Sequence, residues 1–193
     1  MPHPLENKRA LVTGGSRGIG AAIVTRLARE GAHVALTYVS QPDRANATAQ
    51  AAQALGVQAL ALQADNADAT AVATAVEHTV QAFGGIDILV HNAGIAVMAP
   101  MADYRLEDFD RMVAVNLRAV FVATQAAVTH MPSGGRVITI GSCNAERMPF
   151  EGGAVYAMGM RTDGGSSSPL RQAGLPMIVT TVLVPMRGTG ASS

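Results

Sequence analysis

The sequence predicts an α/β protein with a doubly wound parallel sheet that carries helices on both faces. Three observations favour this class. Short apolar runs alternate with helical patterns along the chain. The run at residues 86–90 is mostly apolar, as expected of a strand buried on both faces. Nearly half of the 193 residues are apolar (49%), which is enough to build one core.

Strand-like runs and helical stripes follow one another in strict order. Strands are predicted at residues 10–13, 33–38, 57–62, 86–90 and 136–140, with a possible sixth at 177–184. The first helix presents Ile19, Ile23 and Leu27 on one face. The second helix spans 43–55, the third carries an apolar stripe from 72 to 83, and the fourth spans 106–130. Glycines at 31, 56 and 84–85 end the first three helices.

The chain is predicted to form a single domain over residues 1–193. Its C-terminal part is expected to be shortened, with an irregular segment at 159–176. Residues 163–169 read DGGSSSP and have no helical face, which predicts a loop, either a plain connection or a functional lid.

Composition excludes several functional classes. The 14 basic and 14 acidic residues balance, so we expect neither a nucleic-acid partner nor a polybasic membrane anchor. No continuous apolar run of about 20 residues was found, so no membrane partner is expected. The single cysteine, Cys143, has no metal-ligating partner at a recognisable spacing, and no metal site is predicted. A cytoplasmic location is the expectation.

A glycine-rich turn at residues 13–20, TGGSRGIG, joins the first strand to the first helix. Gly14 permits a tight turn, Gly18 lets the backbone approach a pyrophosphate, and Gly20 lets the helix pack closely on the strand. The helix N-terminus then offers free N–H groups to phosphate oxygens. This context predicts a dinucleotide-binding site.

Further motifs accompany this turn. Asn92-Ala93-Gly94 follows the fourth strand, and Tyr156 follows Ser142 by 14 residues. With the stretches GGSRGIGAAIV, LVHNAGI and RMPFEGGAVYA, the sequence resembles the short-chain dehydrogenase/reductase family, and within it the branch of 3-oxoacyl-acyl-carrier-protein reductases. The resemblance covers about residues 6–158 and implies a Rossmann-type NAD(P)-binding domain that catalyses hydride transfer. His91 stands where many members have asparagine.

The resemblance also implies roles for single residues. Tyr156 would be the acid/base, Ser142 would orient the substrate oxygen, and Asn116 would anchor the active-site helix and a water. Asn116 also lies in an apolar row of the fourth helix and therefore needs a polar partner. The implied cofactor-binding residues are Gly14, Ser16, Arg17, Gly18, Ile19, Gly20, Tyr38, Asp65, Asn66, Asn92, Ala93, Gly94 and Tyr156.

The residues after the second strand favour NADP(H) over NAD(H). Folds that prefer NAD(H) place Asp or Glu there to hold the ribose 2′-hydroxyl. Here the first carboxylate is Asp43, whereas Arg17 occupies the position from which NADPH-preferring members reach the 2′-phosphate, and Arg44 is a further candidate.

One position departs from the family pattern. Four residues after Tyr156 the family has a lysine that holds the nicotinamide ribose and favours ionised tyrosine, whereas this chain has Met160. A thioether has no charge and donates no hydrogen bond. Three interpretations stay open: an oxidoreductase acting on a carbonyl or secondary alcohol, a non-catalytic protein that holds NADP(H) or a cyclic dinucleotide, and an inactive, truncated family member with an altered C-terminal sequence. A small-molecule substrate and a homodimer formed through residues 106–130 are the expected partners.

Overall fold

The computed structural model describes residues 3–142, 151–160 and 177–184 of the chain. Six strands form one parallel sheet in the order β3-β2-β1-β4-β5-β6. The strands are β1 (Arg9–Val12), β2 (His33–Tyr38), β3 (Ala59–Gln63), β4 (Ile88–His91), β5 (Gly135–Ser142) and β6 (Met177–Val184). The helices are α1 (Gly18–Arg29), α2 (Pro42–Gln53), α3 (Ala69–Phe83), α4 (Leu106–Val113), α5 (Ala119–Val128) and α6 (Ala154–Met160).

Helices cover both faces of the sheet, which confirms the predicted class. Strand β1 shows the division, because Ala10 and Val12 point into the core formed with α1 and α2, whereas Leu11 points into the core formed with α3 and α5. All three side chains are buried, as the alternation of a strand between two helical layers requires. The sheet therefore separates two apolar cores, and its carboxyl edge remains free for polar residues.

Most predicted boundaries agree with the structure to within two residues. Strand β2 is as predicted, and β6 spans the same residues as the possible sixth strand. Helix α3 begins earlier than its apolar stripe indicated, because the Asp68 carboxylate accepts hydrogen bonds from the N–H groups of Thr70 and Ala71 at 2.8 and 3.1 Å. Capping thus starts the helix one turn before its first buried valine, Val72.

The predicted helix at 106–130 contains an irregular turn that the sequence did not predict. A π-helical segment, Ala114–Arg118, separates α4 from α5. Such segments insert one residue into a helix and often lie at functional sites. Residues Leu106–Val128 are together long and apolar enough to cross a bilayer. Ala119, Ala123 and Ala127 pack into the core against the sheet, so the length and apolar character of this stretch are those of a core helix.

A charged cluster holds the amino edge of the sheet together. The Asp87 carboxylate accepts hydrogen bonds from the Arg9 backbone N–H at 3.0 Å and from Arg9 Nε at 2.6 Å, and Lys8 Nζ lies 3.8 Å away. Burial by itself would raise the pKa of Asp87, but the hydrogen bonds from Arg9 and the charges of Arg9 and Lys8 hold that pKa below its usual value. This cluster fastens β1 to the start of β4.

The C-terminal part contributes one helix and one strand to the described structure. Strand β6 pairs in parallel with β5, and the paired residues run from Gly135 opposite Met177 to Ser142 opposite Val184. The sequence predicts an irregular segment at 159–176, but its first two residues, 159 and 160, belong to α6. The predicted loop at 163–169 and Cys143 lie outside the described residues.

Candidate active site

A cleft of about 460 Å³ opens at the carboxyl ends of the central strands. Strand β1 lies between β2 and β4, so the chain reverses its direction across the sheet at β1, which is where open α/β sheets bind ligands. Most of the predicted cofactor-binding residues line this cleft: Gly14, Ser16, Arg17, Gly18, Ile19, Gly20, Tyr38, Asp65, Asn66, Asn92, Ala93 and Gly94. The tyrosine predicted to act on both cofactor and substrate, Tyr156, is not among the lining residues.

The turn between β1 and α1 requires glycine at two points for different reasons. Gly14 has a φ of +66°, a conformation that L-residues with a side chain rarely adopt. Gly20 has an ordinary φ, but a Cβ there would collide with the carbonyl oxygen of Gly14 and the side-chain amide of Asn92. The predicted roles, a tight turn and close packing, agree with these contacts.

Thr13 and Asn92 join this turn to the loop after β4. The Thr13 hydroxyl accepts hydrogen bonds from the N–H groups of Asn92 and Ala93, both at 3.1 Å, and donates to the Val90 carbonyl at 3.4 Å. The Asn92 side-chain amide donates in return to the carbonyls of Thr13 and Gly14, both at 3.0 Å. Two loops distant in sequence are thereby held as one wall of the cleft.

Thr37 is a site residue that the sequence analysis missed. It is buried on β2, lines the cleft, and its hydroxyl accepts a hydrogen bond from the Gly14 N–H at 3.0 Å. Its carbonyl also accepts from the Gly15 N–H at 3.0 Å. A threonine inside a mostly apolar strand gives no sequence signal of this role, because the contact depends on β2 lying beside β1.

The end of β2 carries no carboxylate toward the cleft. Tyr38, Val39, Ser40 and Gln41 line it there, and Arg17 reaches it from the glycine turn with an exposed side chain. Among the described residues that line the cleft, Asp65 is the single carboxylate. Arg44, the further candidate for phosphate contact, does not line the cleft.

Asn116 lies in the π-helical segment and is buried. Its Oδ1 accepts a hydrogen bond from the Ile95 N–H and its Nδ2 donates to the Ile95 carbonyl, both at 2.9 Å. The polar partner expected for an asparagine in an apolar row is therefore the backbone of Ile95, the residue after Gly94. Helix α6 lies beside this residue, because a Cβ on Gly159 would come within 3.7 Å of Asn116 Nδ2.

The proposed catalytic hydroxyls lie on two elements next to each other. Ser142 is the last residue of β5 and is buried. Tyr156 lies in α6 with only 5% of its surface exposed, packed with Met112 and Val155. Helix α6 contacts β5, α4 and the π-helical segment. Position 160 is the last residue of α6, one helical turn after Tyr156.

His91, which departs from the family pattern, is fully buried at the end of β4. Its Nε2 lies 2.9 Å from the Thr124 hydroxyl on α5. Burial lowers the pKa of His91 to about 4 because the charged imidazolium would lose its hydration. The neutral ring thus bridges β4 and α5 directly before Asn92. No group of three potential metal ligands occurs within the described residues.

Comparison with known proteins assigns the family. The sequence profile named short chain dehydrogenase matches residues 8–159. The chain belongs to the short-chain dehydrogenase/reductase family. It is 43% identical over 150 residues to the cyclic-di-GMP-binding biofilm dispersal mediator protein of Escherichia coli, covering 78% of this chain and 60% of that protein. It is 41% identical to a hydroxynaphthalene reductase of Aspergillus fumigatus, covering 80% of this chain and 56% of the relative.

The fold of this short-chain dehydrogenase/reductase has solved counterparts. A short chain dehydrogenase from Burkholderia cenocepacia, crystallised in complex with NADP, superposes with a TM-score of 0.89 at 48% identity, covering 93% of this chain and 74% of that one. The chain spans roughly three fifths of the length of the curated relatives it matches, by the shares of 60% and 56% given above. Its Rossmann-type fold and its family membership are therefore shown.

Proposed function

We propose that this protein is an NADP(H)-dependent oxidoreductase that transfers hydride between the cofactor and a small carbonyl or secondary-alcohol substrate. The observation that carries the proposal is the cleft itself. The glycine turn, Asn92 and Arg17 surround one cavity at the carboxyl edge of the sheet. A family member of the same fold holds NADP in its crystal structure, which supports the same cofactor here.

The preference for NADP(H) over NAD(H) rests on charge. A 2′-phosphate carries negative charge, which Arg17 would neutralise through charge-assisted hydrogen bonds. No carboxylate at the end of β2 competes for that position among the described residues of the cleft. We assign Gly14, Ser16, Gly18, Ile19 and Gly20 to the pyrophosphate.

The remaining predicted contacts are assigned by their place along the cleft. Tyr38 would lie on the adenosine ribose side, Asp65 and Asn66 on the base side, and Asn92, Ala93 and Gly94 near the nicotinamide ribose. NADPH, when bound, supplies the hydride. The chain supplies the proton and the orientation, since Tyr156 would protonate the substrate oxygen while the Ser142 hydroxyl donates a hydrogen bond to it. Asn116 would hold the loop at Ile95 in place beside α6.

Met160 sets the expected level of activity. A lysine at this point would place a positive charge one helical turn from the tyrosine and favour proton transfer, whereas methionine supplies neither charge nor donor. We therefore expect slow turnover. The same substitution favours a second candidate function, nucleotide binding without chemistry, with NADP(H) or a cyclic dinucleotide as ligand.

A binding titration tests the proposal. NADPH is added to the purified protein while the nicotinamide fluorescence is followed, and NADH serves as the comparison. We expect saturable binding with NADPH preferred, and we expect Arg17→Ala to reduce that preference by about 10- to 150-fold, as the loss of a charge-assisted contact worth about 1.5–3 kcal/mol implies. Arg29→Ala is the matched control, because Arg29 is exposed in the last turn of α1, the helix that follows the glycine turn, and lies outside the cleft.

Turnover separates the candidates. NADPH oxidation with a panel of ketones should be slow in the wild-type protein and faster in Met160→Lys. Binding of NADPH with no turnover in either protein would favour the non-catalytic candidate. A non-cooperative melt together with no binding of either cofactor would favour the third interpretation, a family member without activity.

We also propose a homodimer through the long helix. Leu117 and Phe121, one turn apart, have 59% and 63% of their surface exposed on the side away from the sheet. Exposed apolar groups at this spacing are the kind of surface that a second copy would cover. Light scattering of the protein after size-exclusion chromatography measures its mass in solution directly.

A further inference from the structure

The loop after β4 is tied to the rest of the fold at alternate residues. In its first part, exposed and partly buried side chains alternate, as in an extended strand. The partly buried ones are Ile95, Val97 and Ala99. Ile95 is bound to Asn116, and the Ala99 N–H donates to the Gly152 carbonyl, just before α6, at 3.1 Å. Val97 lies between these two ties and has a partner of another kind.

That partner is the thioether of Met112 on α4. The Val97 N–H donates to Met112 Sδ at 3.4 Å, and the Tyr104 hydroxyl lies 3.0 Å from the same sulfur. That hydroxyl also lies 3.3 Å from the Val97 carbonyl, so Tyr104 contacts the loop as well. Burial and the nearby Asp108 raise the pKa of Tyr104 above its usual value, so its hydroxyl remains a donor at neutral pH. A thioether is a weak acceptor, but Met112 is only 1% exposed, so water does not replace it.

The spacing of the two helix residues matches the spacing of their partners. Met112 and Asn116 are four residues apart and both face the loop. At about 1.5 Å per residue they are about 6 Å apart along the helix axis. Val97 and Ile95 are two residues apart in extended chain, which is about 6.6 Å at about 3.3 Å per residue. The helix therefore binds alternate residues of the loop without bending it.

Met112 also contacts the helix that carries the proposed acid/base. Met112 and Tyr156 belong to one buried cluster, against which Val97 and Tyr104 pack. A Cβ on Gly159 of α6 would lie 3.9 Å from Met112 Cε, so the methyl group lies next to that helix. One side chain thus contacts the loop through its sulfur and α6 through its methyl group.

We propose that Met112 is a positioning residue, which sets the distance between the loop after β4 and the Tyr156 hydroxyl. The proposal rests on the proposed role of Tyr156 as the acid/base. The loop continues directly from Asn92, Ala93 and Gly94, which we assign to the cofactor, and ends its described ties beside α6. Proton transfer needs heavy atoms about 2.6–3.2 Å apart, so a small shift of the loop against α6 would slow it.

Met112→Leu tests the role of the sulfur. Leucine removes the acceptor with little change in volume, which buried cores tolerate. We expect the affinity for NADPH to stay within about twofold, because Thr13 and Asn92, which hold the cofactor wall, bond to each other. With the ketone that the wild type reduces fastest, kcat should fall about tenfold, equivalent to about 1.4 kcal/mol and to one lost hydrogen bond. The KM for NADPH should not change.

Two further variants separate the acceptor from simple packing. Met131→Leu is the matched control, because Met131 makes the same chemical change possible in the core formed with α3 and α5. It should leave kcat and NADPH binding unchanged. Met112→Gln restores an acceptor on an unbranched side chain and should recover part of the lost kcat. Tyr104→Phe removes one donor, and its effect should not add to that of Met112→Leu, because both changes break the same contact.

Fluorine NMR reports on Tyr156 without turnover. The chain has three tyrosines, so protein labelled with 3-fluorotyrosine gives signals from Tyr38, Tyr104 and Tyr156 only, which single Tyr→Phe variants assign. Met112→Leu should shift the signals of Tyr104 and Tyr156. Tyr38, at the end of β2, should keep its signal and serves as the internal control.

The outcomes are distinguishable. If Met112→Leu behaves like Met131→Leu in both assays, Met112 only fills the core, and the positioning role is refuted while the proposed function stands. If Met112→Leu weakens NADPH as much as it lowers kcat, or if Met112→Gln is as slow as Met112→Leu, the positioning role of the sulfur is also refuted. If the wild-type protein reduces no ketone, the proposed function fails by that result, and the Tyr156 signal alone decides: a shift in Met112→Leu supports the role of Met112, and an unchanged signal refutes it.

Discussion

Replacing Thr13 by valine removes one hydroxyl from the joint between the glycine turn and the loop after β4. Valine has nearly the shape of threonine, so no cavity forms in this buried position. The N–H groups of Asn92 and Ala93 lose their acceptor. The Val90 carbonyl keeps a partner, because it still accepts from the Thr13 backbone N–H at 3.0 Å.

The expected cost follows from those two donors. An unsatisfied buried donor costs about 1–3 kcal/mol, and both N–H groups are only partly buried, which places each near about 1 kcal/mol. We expect Thr13→Val to lower the free energy of unfolding by about 2 kcal/mol, the sum of the two. For a domain of this size that lowers Tm by roughly 4–8 °C.

Urea unfolding followed by circular dichroism measures the change. The midpoint should fall while the dependence of free energy on urea stays constant. Thr13→Ser keeps the hydroxyl and should lose much less. Thr25→Val is a matched control, because its hydroxyl only donates to the Ala21 carbonyl within α1. A Thr13→Val protein within about 0.5 kcal/mol of the wild type, the usual range for neutral surface changes, would refute the reasoning.

Three further predictions concern other parts of the fold. The pKa of His91 is about 4 in the folded protein and about 6.5 in the unfolded chain, so the unfolded chain takes up a proton first as the pH drops. The free energy of unfolding should therefore fall between about pH 6.5 and about pH 4. His91→Asn should flatten this pH dependence, which urea titrations at several pH values measure. Asp87→Ala should cost about 3 kcal/mol in the same assay at pH 7, because the Nε and the backbone N–H of Arg9 lose their carboxylate acceptor while only Nη1 keeps one, the Gly84 carbonyl, and a cost under about 1 kcal/mol would contradict this. Phe121→Glu should shift the light-scattering mass from dimer to monomer; an unchanged dimer would show that the interface lies elsewhere.

Local patterns in the sequence determined the class of fold and the position of the glycine turn. Alternating strand and helix signals depend on neighbours within a few residues, as does the glycine spacing at 14, 18 and 20, so both can be derived without the fold. The position of Asn92 after a strand placed it at the same carboxyl edge. The family resemblance then added the serine and tyrosine of the proposed chemistry.

The tertiary structure decided which distant residues meet. Thr37 supports Gly14 because β2 pairs with β1, and Arg111 lies 3.8 Å from Asp65 because α4 and the loop after β3 line the same cleft. The apolar row indicated that Asn116 needs a polar partner, but only the fold shows that this partner is the backbone of Ile95 and that Asn116 lies in a π-helical segment. These contacts join residues more than 20 positions apart, and strand order and helix packing bring them together, whereas a sequence pattern reports only what lies close along the chain.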